Sequence, residues 1–132
     1  MHDLSTLESI GQSLQDVGYI ARRSEILGLA TALQTDCVSA GGSRTVILEG
    51  EPGTGKSAFA DAVAKVTGAM FLAYQFHSWS DADELFVGID VAAAVGGDAE
   101  NVRQEGILAK VAKLSEHSTV VLLLDEIDKA PE

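Results

Sequence analysis

Eight consecutive residues, Gly50, Glu51, Pro52, Gly53, Thr54, Gly55, Lys56 and Ser57, constrain this chain more than any others. Their spacing matches the phosphate-binding loop pattern G-x-x-x-x-G-K-[ST]. That pattern needs a strand before it and a helix after it. The run Thr45-Val46-Ile47-Leu48 leads in as an expected strand, and the helix-forming residues 58–66 lead out. A helix N-terminus presents unpaired N–H groups and the positive end of its dipole to an anion. The three glycines permit positive φ and a close approach of the backbone to phosphate oxygens. Lys56 supplies a point charge for β- and γ-phosphates, and Ser57 a hydroxyl for Mg²⁺. The alternative is a glycine-rich turn with an exposed lysine.

A second motif argues against that alternative. Thr119-Val120-Val121-Leu122-Leu123-Leu124 runs into two carboxylates, Asp125 and Glu126. A run that is apolar on both faces reads as a strand buried in a parallel sheet. Acids at its C-terminal end stand at the edge where open α/β sheets bind ligands. This is the Walker B arrangement. Asp125 is expected to hold Mg²⁺, through water, since Mg²⁺ keeps several waters and takes few carboxylates. Glu126 is expected to orient or deprotonate the attacking water.

At 132 residues the chain is one domain at most, long enough to bury a core. A hydrophobic fraction of 46% and a mean hydropathy of +0.16 suit a globular chain. The formal charge of −11 argues against direct nucleic-acid binding and against an anionic membrane surface, both of which need basic residues. The one cysteine, Cys37, has no partner for a disulfide and falls on the apolar stripe of an expected helix. The start Met1-His2-Asp3 lacks a basic region followed by an apolar core, so no signal peptide is expected there, and no apolar run is long enough to span a membrane. A cytoplasmic location is expected. His2, His77 and His117 are too widely spaced to form a metal-ligand pattern.

The expected elements follow from periodicity. Residues 4–17 form a helix with Leu7, Ile10, Leu14 and Val17 on one face, and Ser5 with Glu8 as a capping box. A second helix runs from Ser24 or Glu25 to about Val38, with Ile26, Leu29, Ala30, Leu33 and Cys37 on its stripe. The helix after the loop stops at Gly68 and carries Asp61 and Lys65 four apart. Residues 69–76 are a strand, and 80–84 a helix start with acids in its first turn. Residues 87–100, rich in small residues and glycine, are a long loop or a hairpin insertion. A helix over 105–116 precedes the last strand. The order points to a three-layer α/β/α sandwich on a mostly parallel sheet, with a helical segment over 1–43 and the core over 44–132.

Residues 50–57 together with Leu122-Leu123-Leu124-Asp125-Glu126-Ile127-Asp128-Lys129-Ala130-Pro131 resemble an AAA+ P-loop ATPase. Ser80-Asp81-Ala82-Asp83-Glu84-Leu85-Phe86-Val87-Gly88 and Glu105-Gly106-Ile107-Leu108 make the chain most similar to the MoxR and dynein-related branch. The resemblance covers about residue 19 onward. It implies an ATPase that binds ATP and Mg²⁺, with Gly53, Thr54, Gly55 and Lys56 on the phosphates, Ser57 and Asp125 on the metal, and Glu126 activating water. Tyr19 and Ile20 belong to a segment that lies beside the adenine in the family; their backbone contacts the base, or they are ordinary core. The family usually forms homo-oligomeric rings that remodel or assemble other macromolecules; the protein partner is unknown. Trp79 begins the stretch where a partner would touch, or packs locally.

The family pattern continues past Walker B with a γ-phosphate sensor, an arginine finger and a helical lid, none of which is expected among these residues. The chain is therefore expected to be a P-loop core truncated after the Walker B strand, lacking the strand that separates the P-loop strand from the Walker B strand. Three functions follow: an AAA+ ATPase, a nucleotide-binding or interaction module without turnover, and a GTPase of restriction-system type. Base choice is not written in these residues.

Overall fold

The computed structural model describes residues 2–34, 44–78, 80, 82–89, 95–97 and 103–130. Cys37 and Trp79 lie outside the described residues. The chain divides into two compact units, Met1–Gly68 and Ala69–Glu132.

The first unit holds three helices: α1 (Leu7–Asp16), α2 (Arg23–Gln34) and α3 (Lys56–Thr67). Their apolar stripes meet in one core of Ile10, Leu14, Leu29, Ala30, Phe59, Ala62 and Val66. Phe59, Ala62 and Val66 recur at helical spacing, so one face of α3 joins this core, while Ala60 and Ala64 are buried on another side of the helix. The capping box of α1 lies one residue later than the expected pair Ser5 and Glu8. Thr6 is extended, its hydroxyl accepts from the Ser9 N–H at 3.1 Å, and its own N–H donates to Ser9 Oγ at 3.0 Å. Ser5 is occupied elsewhere, with its N–H bound to Asp3 Oδ1 at 3.0 Å. The helix after the loop ends as expected at Gly68, left-handed at φ 66°. The expected Asp61–Lys65 pair forms at 2.6 Å on the exposed face of α3.

The expected strand over 45–48 is not formed: residues 44–50 are irregular, and Ile47 is 82% exposed. A strand exists only where a neighbour exchanges backbone hydrogen bonds with it. Among the described residues no strand pairs with this segment. Its apolar composition fits a strand, but composition cannot supply the partner.

The second unit contains β1 (Met70–Gln75), β2 (Val87–Ile89), β3 (Arg103–Glu105), α4 (Ile107–Ser115) and β4 (Val120–Asp125). β1 and β4 pair in parallel, from Met70 opposite Val120 to Gln75 opposite Asp125. The α/β class and the parallel pairing agree with expectation. β4 is less buried than its sequence implies: most of it is half-buried and Leu124 is 38% exposed. An apolar run becomes fully buried only when both sheet faces are covered. The helix expected at 80–84 is a single 3₁₀ turn, Ala82–Leu85, closed by the Phe86 N–H on Asp83 O at 3.1 Å. The chain enters β2 at Val87, which leaves no length for a second turn. Of the alternatives expected for residues 87–100, a hairpin insertion fits the antiparallel pairing of β2 with β3; residues 90–94 and 98–102 lie outside the described residues. Gly106 follows β3 and donates to Phe86 O at 2.8 Å. A Cβ there would overlap the Leu85 and Phe86 carbonyls, so the position needs glycine.

Leu14 is wholly buried in the first unit. Leu14→Ala is expected to lower that unit's stability by about 2–5 kcal/mol in a denaturant titration. A loss below about 1 kcal/mol would mean that the cluster is not the core that holds the three helices.

Candidate functional site

In the first unit the chain reverses tightly at Gly55, which stands at φ 92° and serves as the N-cap of α3. Its carbonyl accepts the first helical bond, from the Phe59 N–H at 2.9 Å. Gly53 is also left-handed, at φ 79°. L-residues rarely adopt these angles, so the two glycines are what the turn requires. No side chain caps α3, and no acid occupies its first turn. The field at this N-terminus is therefore left positive on its own element.

The loop is bound to itself through two side chains. Lys56 Nζ donates to Gly50 O at 2.6 Å and to Glu51 O at 2.9 Å. Thr54 Oγ1 donates to Glu51 O at 2.8 Å. These bonds gather the carbonyls of residues 50 and 51 beneath one ammonium. Glu51, Pro52 and Ser57 are exposed, and Thr54, Gly55 and Lys56 are half-buried.

Tyr19 comes to this loop by its side chain. It follows α1, held by its N–H on Leu14 O at 2.9 Å. Its ring lies 5.6 Å from that of Phe59, tilted by 49°. Its hydroxyl donates to Glu25 Oε1 at 3.0 Å and stands 3.5 Å from Gly55 O. Burial, reinforced by the Glu25 carboxylate, pushes the phenol's pKa up. Ile20 is 85% exposed beside it. Of the two residues, the structure gives Tyr19 a contact with the loop, while Ile20 faces solvent.

In the second unit the parallel register sets Gln75 opposite Asp125 at the C-terminal ends of β1 and β4. The chain then turns at once: Glu126 is left-handed at φ 53°, the one non-glycine residue with positive φ among those described. Such a conformation costs on the order of 1 kcal/mol or more and persists only where the surroundings hold it. Here its N–H donates to Asp125 Oδ1 at 2.9 Å. Its Oε2 accepts from Gln75 Nε2 at 2.9 Å and pairs with Lys129 Nζ at 2.7 Å. The Lys129 ammonium, then the Gln75 amide, hold the Glu126 carboxyl below the usual carboxylate range. Glu126 in turn raises the pKa of Lys129. The carboxylate lies in an open cleft lined by Gln75, Phe76, His77, Ser78 and Lys129.

Gln75 and Lys129 are contacts of the candidate residue Glu126 that the sequence pattern did not single out. The signal for Lys129 was its place three residues after Glu126, within reach across one turn. Gln75 was recoverable only as the polar residue that ends an apolar strand. Its partner depends on a register that no local pattern states.

Residues 45–132 match the family model for the AAA domain (dynein-related subfamily). No curated protein and no solved structure matches the chain. No helix among the described residues is long and apolar enough to cross a membrane.

The hydrogen-bonded cluster makes a titration prediction. Glu126's folded pKa is depressed, so its contribution to stability is present above the unfolded value. It is lost as pH falls through the folded one. Lys129→Met removes the larger cause, so the Glu126 midpoint is expected to move up toward the ordinary carboxylate range in a side-chain carbon NMR titration. An unchanged midpoint would show that Lys129 does not hold the carboxylate in solution.

Proposed function

The chain belongs to the dynein-related subfamily of AAA domains, a family of ATP-binding ATPases that form oligomeric rings, and from that premise we propose that it binds Mg-ATP and hydrolyses it. The observation that carries this reading is the phosphate loop itself. Two left-handed glycines lead into an uncapped helix N-terminus, with a lysine ammonium folded over the loop. Within the subfamily we assign the chain to MoxR-like ring ATPases that remodel or assemble a macromolecular partner, acting in the cytoplasm. We also retain the division into a helical segment, 1–43, and the ATPase core, 44–132.

The amides of residues 53–57 receive the phosphate oxygens, and Lys56 exchanges its two carbonyl partners for the β- and γ-phosphates. A neutral carbonyl is a weaker partner for an ammonium than a phosphate oxygen, so this exchange is favourable. Ser57 offers a hydroxyl and Asp125 a carboxylate, the hard oxygen donors that Mg²⁺ prefers, and these residues would hold the ion. Bound there, Mg²⁺ would neutralise charge on the phosphates. Glu126 orients the attacking water and takes its proton; like any carboxylate it is ionised at neutral pH, and its contacts with Lys129 and Gln75 favour orientation over base strength. The open cleft beside it gives water access. The backbone of Tyr19 and Ile20 lies beside the base, and the wide exposure of Ile20 leaves that stretch open to it.

Calorimetric titration of Mg-ATP, and then of Mg-GTP, tests the site and its base preference. Lys56→Ala is expected to weaken binding about 100-fold or more. Glu126→Gln is expected to keep binding and to slow hydrolysis by roughly 100- to 10,000-fold. Parental binding without turnover would replace this reading with that of a nucleotide-binding module. Equal turnover by the glutamine variant would remove Glu126 from its role.

A further inference from the structure

Tyr19 carries more bonds than a residue that merely borders a base needs. Its backbone is held to the end of α1 by the bond to Leu14 O. Its ring packs on Phe59, which is buried in α3 one turn beyond the phosphate loop. Its hydroxyl reaches Glu25 in the first turn of α2. The other oxygen of Glu25 accepts the Arg22 N–H at 2.7 Å, so both carboxylate oxygens are engaged and their position is fixed. The phenol oxygen then stands 3.5 Å from Gly55 O, and a Cβ on Gly55 would lie 3.6 Å from it. A hydroxyl has one proton, and the 3.0 Å partner takes it. Toward Gly55 the phenol is therefore a spacer in van der Waals contact and not a strong donor.

We propose that Tyr19, braced by Glu25, is a positioning residue for the phosphate loop: its side chain seats Gly55, the residue whose left-handed turn aims the first amides of α3. The proposal rests on the nucleotide-binding reading and deepens it. It assigns the Tyr19 side chain to the phosphates rather than to the base. Gly55 has no side chain with which to hold its own place, and its carbonyl begins α3. A displacement there would tilt every N–H in the first turn. Because Glu25 belongs to α2, the helices before the loop set nucleotide affinity through one phenol.

The experiment uses a ligand without a base. Mg-ATP and Mg-tripolyphosphate are titrated into the parent chain, Tyr19→Phe, Glu25→Gln, Glu25→Ala and Lys56→Ala. Tyr19→Phe keeps the ring on Phe59 and removes only the hydroxyl. It is expected to raise the Kd of ATP and of tripolyphosphate by the same factor, about 3- to 10-fold. Glu25→Ala is expected to match it, and combining the two should add little more. Glu25→Gln keeps one of the two acceptor oxygens and sets an amide NH2 against the other donor, so it is expected to fall between the parent and Glu25→Ala. If Glu25→Ala fails to fold, the phenylalanine and glutamine variants carry the comparison. A loss confined to ATP would assign Tyr19 to the base and overturn the proposal, as would unchanged affinity for both ligands. If the parent binds neither ligand, or binds as well with Lys56→Ala, the nucleotide reading itself fails and the positioning role falls with it.

Discussion

A peptide group removed from water must find a hydrogen-bond partner, and in both units the candidate site residues stand where backbone bonding changes hands. In the first unit the carbonyl of Gly55 begins the α3 ladder, while the amides just after it lie before the ladder's first donor. In the second unit the parallel ladder ends at Gln75 and Asp125, and Glu126 turns out of it in a left-handed conformation. Regular structure supplies the rigidity. The places where it starts and stops supply the directed polar groups.

The same constraint explains which side chains bond which atoms. Lys56 gathers two loop carbonyls that no helix or sheet satisfies. Glu126, held off the strand direction, has its carboxylate met by one donor from β1 and one from its own turn. Neither arrangement adds much to stability, since charged partners at exposed sites are screened by water. Their effect is on orientation and, at Glu126, on how readily the carboxylate takes up a proton. Stability comes from elsewhere, in the first unit from the packing of α1, α2 and α3 around Ile10, Leu14 and Phe59.

Much of this was legible from local pattern. The loop glycines, Lys56, Ser57 and the acids after the apolar run appear in a spacing that physics ties to phosphate and metal chemistry. The helix stop at Gly68 and the Asp61–Lys65 pair follow from interactions within one turn. Where the reading missed, a choice between near-equal local options was decided elsewhere. Thr6 caps α1 in place of Ser5 because the Ser5 N–H is bound to Asp3. The turn at Ala82–Leu85 is 3₁₀ because the β2–β3 ribbon follows at once. Residues 45–48 have strand composition without a strand, because pairing is a property of two segments.

The sequence by itself determined the family, the glycine-rich loop pattern of residues 50–57 and the helical stripes, since each is written in spacing along a single segment. Only the tertiary structure decided that Gln75 faces Asp125, that Gln75 and Lys129 share the Glu126 carboxylate, and that the Tyr19 hydroxyl links Glu25 to Gly55. Most of these contacts join residues distant in the chain through register, packing and turn geometry. Such distances are set by how apolar surfaces close on one another, which no local period encodes.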